Sequence, residues 1–538
     1  MPKIIRENIE RDYADYLHDE SRKAGAADSI SFPESEDDVR ETLRRMKSEG
    51  EPTTFQGART GIVAGAAPGG GHAMNLSRMA RVLGMRHEAK PQAFFLTVQP
   101  GVALAEARER IARRDFDTQG WSADSLAALE AFRKAEPHFF APDPTETSAT
   151  IGGMAACNSS GARSFRFGPM ARHVEALRVV FADGDAVSLR RGVQCAEGRR
   201  FRLELESGAA IEGFLPGYAS PHVKNAAGYC VADDMDLLDL FLGSEGTLGA
   251  IVEIEIRLLP APKAMWALMA FMPGEAEALK LTRLARGEAV EGLACRPSVR
   301  PAAIELFNHD ALNLLREQKA TNPAFGHLPE IAPDWRTAVY FEFHADSAGE
   351  AESAVMQLAE AMAELGGSDE AAWLASDERE LERLKDFRHA VPEAVNLLIG
   401  RRRQKHPGLT KLGTDMAFPD SELENAMKMY NEGLAEAGLE SVIFGHVGDN
   451  HLHVNILPRD QKDYDRGKAL YLSWAQEAVR RGGSVSAEHG IGKLKTAFLK
   501  LMYGEEGIEQ MRALKRLFDP EMLLNRGNLF EDERERAR

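Results

Sequence analysis

The chain has 538 residues, 44% hydrophobic and 28% charged, the composition of a soluble globular protein with room for two to four domains. A formal net charge of -17 argues against nucleic acid or an anionic membrane as the principal partner. Four scattered cysteines, Cys157, Cys195, Cys230 and Cys295, exclude a self-contained iron–sulfur ligand run and a disulfide framework, which suits a reducing, cytoplasmic setting. Residues 1–8 contain no apolar signal core, and the most apolar run, 264–272, is too short to span a bilayer. Docking at the inner membrane through a partner stays open.

Ser35-Glu36-Asp37-Asp38 is a helix-capping pattern, and Val39, Leu43 and Met46 follow at helical spacing, which predicts a helix ending near Gly50. A short strand over 52–55 runs into Gln56-Gly57-Ala58-Arg59-Thr60-Gly61-Ile62-Val63-Ala64-Gly65. Its glycines let the backbone approach a ligand and turn N–H groups toward an anion. The loop has neither a Walker A lysine nor G-x-G-x-x-G, so an ordinary tight loop is the competing reading.

A strand over 94–98 and a helix over 104–113 come next. The small residues from Thr150 through Gly152, Gly153, Ala156, Asn158, Ser159 and Gly161 suit either a flat ligand against the backbone or close helix packing. A strand over 174–181 reaches a turn at Asp183-Gly184, and 190–202 is a basic, exposed excursion. A third glycine cluster, Asn225-Ala226-Ala227-Gly228-Tyr229 with Gly243-Ser244-Glu245-Gly246-Thr247-Leu248-Gly249, feeds a strand over 250–258.

Pro260-Ala261-Pro262 then predicts a domain boundary. Beyond it, strands over 266–271 and 339–343 alternate with amphipathic helices over 351–365 and 380–390, an α+β pattern. Residues 319–336 are predicted as a loop, and Arg401-Arg402-Arg403-Gln404-Lys405 is a short basic run. Helices over 464–481 and 507–518 close the chain.

The densest chemistry lies in Gly445-His446-Val447-Gly448-Asp449-Asn450-His451-Leu452-His453-Val454-Asn455, which reads as strand, tight turn, strand. A two-residue turn at Asp449-Asn450 would set His446 opposite His453, roughly 5 Å apart at Cβ. Alternation puts His451, His453 and Asn455 on one face. Two converging imidazoles are half a metal site, and Ser486-Ala487-Glu488-His489-Gly490-Ile491-Gly492 offers a carboxylate with another histidine beside it. On a regular strand Glu488 and His489 would point apart; Gly490 permits a turn in which both reach one site. Solvent-facing histidines on a polar hairpin are the alternative.

The three glycine clusters and this hairpin, in this order over residues 12–530, resemble the FAD-linked 2-hydroxy-acid dehydrogenases. This group comprises D-lactate dehydrogenase, D-2-hydroxyglutarate dehydrogenase and the D subunit of glycolate oxidase, within the vanillyl-alcohol-oxidase-like flavoproteins. The most specific motifs are Ile151-Gly152-Gly153-Met154-Ala155, Gly243 to Gly249 and Glu488-His489-Gly490-Ile491-Gly492.

The resemblance implies an α+β fold with a two-subdomain PCMH-type FAD-binding domain over 1–262. It also implies a substrate-cap domain with an antiparallel sheet and helices over 263–475, and a segment over 476–538 that returns to the flavin. Gly57, Ala58, Arg59, Thr60, Gly61 and Ile62 would cradle the pyrophosphate. Pro142, Thr150, Gly152, Gly153, Ala156, Asn158, Ser159 and Gly161 would run along the flavin, with Glu245, Thr247, Leu248, Gly249 and Asn525 near it. The pyrophosphate loop lacks the histidine of covalent flavoproteins, so FAD is expected to be non-covalent.

By the same resemblance His446, His453 and Glu488 would bind a divalent metal, zinc or manganese. His489 would be the base, Arg388 the carboxylate clamp, and Asn455 and Lys411 substrate contacts. Relatives usually carry Gly-Asp-Gly-Asn where this chain has Gly448-Asp449-Asn450-His451, so His451 is either an extra ligand or a residue that reshapes the pocket.

The expected activity is oxidation of a D-2-hydroxy acid, D-lactate or a close analogue, with D-2-hydroxyglutarate or glycolate as alternatives. A flavin-dependent transferase akin to the ether-lipid synthases and a redox-silent, partner-dependent subunit are the competing classes. Without an NAD fingerprint, electrons would leave to a quinone, a cytochrome, an electron-transfer flavoprotein or a separate iron–sulfur subunit. A homodimer stays open.

Overall fold

Local signals and packing agree at the start of the chain. Ser35 caps the helix Glu36–Glu49 by accepting the Asp38 N–H at 3.2 Å, and Gly50, at φ 70°, ends it. The computed structural model from which this is read describes residues 3–293 and 297–531, so Cys295 lies outside the described residues. Val39, Leu43 and Met46 of the helix bury against Met74, Val180 and Val252, tying two sheets together.

The first sheet is parallel and three-stranded, in the order Ser29–Ser31, His72–Asn75, Thr53–Gln56. The second is antiparallel, in the order Val82–Ala89, Gln92–Val98, Ala250–Pro260, Val174–Val180, Ala186–Arg190, with His138–Phe139 paired to the end of Ala250–Pro260.

Just past Pro260 the chain enters Ala264–Met272, part of a seven-stranded antiparallel sheet. Its order is Ala372–Ala375, Ala264–Met272, Thr337–Ala345, Ala303–Phe307, Ser441–His446, His451–Ile456, Leu412–Gly413. Matched registers put Glu342, Glu305, His446, His451, His453 and Asn455 on one face. Much of the apolar remainder of that face, including Met269, Phe307 and Val442, is covered by the helices His309–Thr321 and Glu378–Arg403. The opposite face packs on Glu275–Ala285, Ala348–Glu364 and Leu423–Ala437.

Three predicted boundaries shift. The helix expected over 380–390 runs from Glu378 to Arg403 across Pro392. Its buried stripe continues through Val391, Ala394, Val395 and Ile399, and this packing outweighs the one lost backbone donor. The basic run is therefore its last turn, where cations suit the carbonyl end. The predicted loop over 319–336 begins inside His309–Thr321. The closing helix starts at Thr496 and is broken at Gly504, where φ is 69° and ψ 178°.

After that helix the chain returns to the N-terminal sheet. The Thr53 N–H donates to Leu523 O at 2.9 Å and the Asn525 N–H to Thr53 O at 2.8 Å. Among the described residues no helix is long and apolar enough to cross a membrane.

Candidate active site

The hairpin turns in four residues rather than two. Val447–Asp449 forms a 3-10 turn and Asn450 adopts φ 47°, so His446 lies opposite His451, and His453 lies opposite Phe444. The expected pairing of His446 with His453 is thereby corrected by two residues. Because the slip is even, the faces are unchanged and three imidazoles converge instead of two. Ring centroids are 5.5 Å apart for His446–His451 and His446–His453, and 4.5 Å for His451–His453.

Each ring has one nitrogen beside an outer oxygen, hydrogen-bonded only at His453, and turns the other toward Glu488. His453 Nδ1 donates to Thr414 O at 3.1 Å, His446 Nδ1 lies 2.9 Å from Glu305 Oε1, and His451 Nε2 lies 3.1 Å from Asp415 Oδ1. The free nitrogens face Glu488: His446 Nε2 at 3.5 Å, His453 Nε2 at 3.4 Å and His451 Nδ1 at 3.9 Å. One ligand atom from each of these four residues lies within 4.8 Å of the others. The donor types fit a divalent metal; ligands of a cation bound at roughly 2.1 Å stand roughly 3.0–3.4 Å apart, so these side chains would draw together to hold one. The outer partners fix tautomers as they do around metal-binding histidines.

Electrostatics bind the cluster together. Burial raises the Glu488 carboxyl, but Lys224, with Nζ 2.8 Å from Oε2, and the histidines hold it well below the carboxylate range. Burial and Lys224 push His446 down, yet Glu488 and Glu305 outweigh them and raise it to about 9. Burial keeps His451 and His453 below the ordinary imidazole value.

Glu488 and His489 both reach the site because Gly490, at φ 78°, turns the chain behind them. Asp415 holds their backbone, accepting the N–H groups of Glu488 at 3.2 Å and His489 at 3.1 Å. Its Oδ2 also lies 3.3 Å from His489 Nδ1, leaving Nε2 of His489 facing the site, 3.5 Å from Glu488 Oε1. Lys495 and Ser486 donate to Asp415 at 2.7 and 2.6 Å.

Glu488 and His489 line the same cavity as the glycine loops. Its walls include Gly57, Ala58, Arg59, Thr60, Gly61, Ile62, Thr150, Gly152, Gly153, Ala156, Ser159, Gly161, Glu245, Gly249 and Asn525. Nothing lies within 4 Å of a Cβ built on Gly61, an open cradle over the backbone. Thr150 caps the short helix Ile151–Cys157. Glu245 accepts the N–H groups of Ile491 and Gly492 at 2.6 and 2.8 Å, locking the third glycine cluster to the Glu488–His489 turn. Arg59 takes φ 61° and stacks its guanidinium 4.2 Å over Tyr16.

Four expected flavin contacts stand behind the wall instead. Pro142 O accepts from Arg108, Asn158 Oδ1 from the Ala171 N–H, Thr247 bonds Tyr229 and Ser244 O, and Leu248 is fully buried. Their small-residue surroundings reflect helix and turn packing. Cys157 does line the cavity, its thiol pushed up to about 12 by burial.

The expected substrate residues are less uniform. Asn455 shares the face of His453, and Lys411 immediately precedes the edge strand Leu412–Gly413 paired to it. Burial lowers Lys411, which has no carboxylate partner among the described residues. Arg388 lies outside the cavity wall. Its Nε donates to Glu305, the carboxylate behind His446, and its guanidinium lies 4.6 Å over Tyr340. The structure thus ties Arg388 to the cluster through Glu305.

Sequence reading missed Asp415, Glu305 and Lys224. A lone acid in the apolar strand Ala303–Phe307 was the available signal for Glu305; Asp415 and Lys224 gave none beyond their types.

Comparison with known proteins agrees with this architecture. Residues 27–120 and 122–190 match the FAD binding domain model, and residues 285–529 match the C-terminal domain of FAD linked oxidases. The chain belongs to the FAD-linked oxidases, a family of FAD-dependent oxidoreductases. It is 29% identical to a probable mitochondrial D-lactate dehydrogenase of Danio rerio, over 94% of this chain and 84% of that protein. It is 26% identical to glycolate oxidase subunit GlcD of Bacillus subtilis (strain 168), over 95% and 90%. With a D-2-hydroxyglutarate dehydrogenase of Xanthomonas citri pv. viticola the identity is 27%, over 94% and 89%.

Solved structures share the fold at low identity. A 4-ethylphenol oxidase from Gulosibacter chungangensis superposes with a TM-score of 0.61 at 15% identity, over 99% of this chain and 95% of that one. An alkyldihydroxyacetonephosphate synthase gives 0.59 at 14%, over 97% and 81%.

Proposed function

We propose that the protein is a flavin-dependent dehydrogenase that oxidises a D-2-hydroxy acid, D-lactate or a close analogue, to the 2-oxo acid. The observation that carries this reading is one cavity lined both by the glycine loops and by Glu488 and His489, with Asp415 behind His489. FAD, when bound without a covalent link, supplies the two-electron acceptor. A zinc or manganese ion, when held by His446, His453 and Glu488, supplies a Lewis acid for the substrate hydroxyl.

The chain's own groups do the rest. His489 Nε2 takes the hydroxyl proton while Asp415 fixes its ring. Lys411, a half-buried cation without a carboxylate partner among the described residues, and Asn455 hold the substrate carboxylate beside His453. Arg388 uses only Nε on Glu305, which leaves its other nitrogens as the clamp for that carboxylate. Burial of the cluster excludes water. The electrons pass to a separate acceptor, a quinone, cytochrome, electron-transfer flavoprotein or iron–sulfur subunit.

The test is anaerobic bleaching of the flavin absorbance by D-lactate, L-lactate, glycolate and D-2-hydroxyglutarate, before and after chelator. Rapid bleaching by one D-acid, lost with chelator, is expected and identifies the substrate. A yellow protein that none of them bleaches overturns the reading in favour of a transferase or a partner-dependent subunit.

A further inference from the structure

We infer that His451 is a fourth metal ligand, so that the centre is a three-histidine, one-carboxylate set suited to a six-coordinate divalent transition metal. This rests on the metal reading above and goes beyond its three ligands.

His451 lies directly opposite His446 and two residues before His453, so all three rings leave the same face of the sheet. The ring of His451 is fully buried. Both of its ring nitrogens are buried and make no hydrogen bond among the described residues; Nε2 lies 3.1 Å from Asp415 Oδ1, and Nδ1 lies 3.9 Å from Glu488 Oε2. A buried nitrogen without a hydrogen bond also occurs elsewhere, as at His344 Nδ1, whose other nitrogen meets Glu342. What sets His451 apart is convergence: a ligand atom of its ring lies within 4.8 Å of ligand atoms of His446, His453 and Glu488, with the Asp415 carboxylate on the ring's far side as an outer partner would stand.

The carboxylate has room for this. Lys224 pairs with Oε2 of Glu488, the oxygen 3.9 Å from His451 Nδ1, whereas Oε1 faces His446 and His453; Glu488 can bind through Oε1 while Lys224 keeps Oε2.

A fourth ligand restricts which metal works. Four protein ligands around a tetrahedral zinc close the site and leave the hydroxyl no position. A 2-hydroxy acid chelating through its hydroxyl and one carboxylate oxygen brings the count to six, the number that manganous, ferrous and cobaltous ions accommodate. Imidazole and carboxylate donors suit these ions, and no thiolate is among the four ligands.

The test uses the FAD-loaded protein stripped by chelator and reloaded with Mn2+ or Co2+, without substrate. Pulsed EPR of the Mn2+ form is expected to count three imidazole nitrogens, and His451→Asn is expected to count two. Co2+ affinity in His451→Asn should fall by more than about a hundredfold, beyond the roughly 10–100-fold expected for loss of an outer-sphere partner. Two nitrogens in the unaltered protein, or a His451→Asn variant that binds Co2+ within about a hundredfold of the unaltered protein, overturns the fourth ligand and leaves the three-ligand reading standing. An unaltered protein that takes up neither ion overturns both. The nitrogen count in the unaltered protein needs no variant, so misfolding of His451→Asn does not shield the inference.

Discussion

Replacing Asp415 by asparagine asks whether His489 works through the carboxylate behind it. Asp415 is 1% exposed and accepts from Ser486, Lys495 and the N–H groups of Glu488 and His489. Asparagine keeps the shape, removes the charge and turns an NH2 toward groups that are themselves donors. Breaking a buried ion pair from one side costs about 3–5 kcal/mol. The Lys495 side chain is 12% exposed and regains some hydration, so the lower end, about 3 kcal/mol, is expected.

The catalytic loss is separable. A positioned base is worth about 10²–10⁴-fold, so flavin reduction in Asp415→Asn should fall by about 10²–10³-fold. The half-saturating substrate concentration should move little, because Asp415 sits behind His489. Anaerobic stopped-flow of Asp415→Asn, His489→Gln and the double variant checks this at matched flavin and metal content, because Asp415 also stands beside His451. If Asp415 acts through His489, adding Asp415→Asn to His489→Gln costs less than about tenfold more. A single variant that reduces its flavin at the original rate, or a double variant showing the full product of the two losses, refutes the reasoning.

Two further outcomes follow from packing and charge. Gly492 has φ 51°, and a Cβ there would stand 2.1 Å from Val63 O in the first glycine loop, so Gly492→Ala should release flavin; an unchanged flavin-to-protein absorbance ratio on gel filtration would contradict this. Glu342 accepts from Arg163 at 2.7 Å, His344 at 2.7 Å and Tyr340 at 2.8 Å, joining the N-terminal half of the chain to the seven-stranded sheet. Burial opposes its ionisation, but Arg163 and His344 hold its carboxyl well below the usual value. A depressed folded pKa gives stability that is fully present above the unfolded value, about 4, and is lost as pH falls below it. This contribution should therefore stay constant from pH 7 to about pH 5, and the apparent melting temperature should drop as pH is lowered further below about 4; Glu342→Gln should start lower and drop less over that acid range, and equal slopes there would refute the assignment.

Much was legible in the sequence because it is local. The Ser35 cap, the apolar spacing of Val39, Leu43 and Met46, and the stop at Gly50 define a helix from a few neighbouring residues. Alternation alone placed His451, His453 and Asn455 on one face, and Gly490 foretold a turn bringing Glu488 and His489 together. Pro260 ends a strand of one sheet, and the next strand, from Ala264, belongs to another.

What the tertiary structure decided depends on distant partners. The hairpin register follows from Asn450 taking a left-handed conformation within a four-residue turn, which the Asp449-Asn450 pair alone does not dictate. Glu305 and Asp415 reach the histidines, and Lys224 reaches Glu488, from three other segments, and only strand pairing and domain packing say which buried acid stands beside which ring. Nothing in the helix that carries Arg388 reveals that Glu305, on a facing strand, lies within reach of it. Periodicity fixes which way a side chain leaves its own element; what it meets there is set by the registers and packing between elements far apart in the chain.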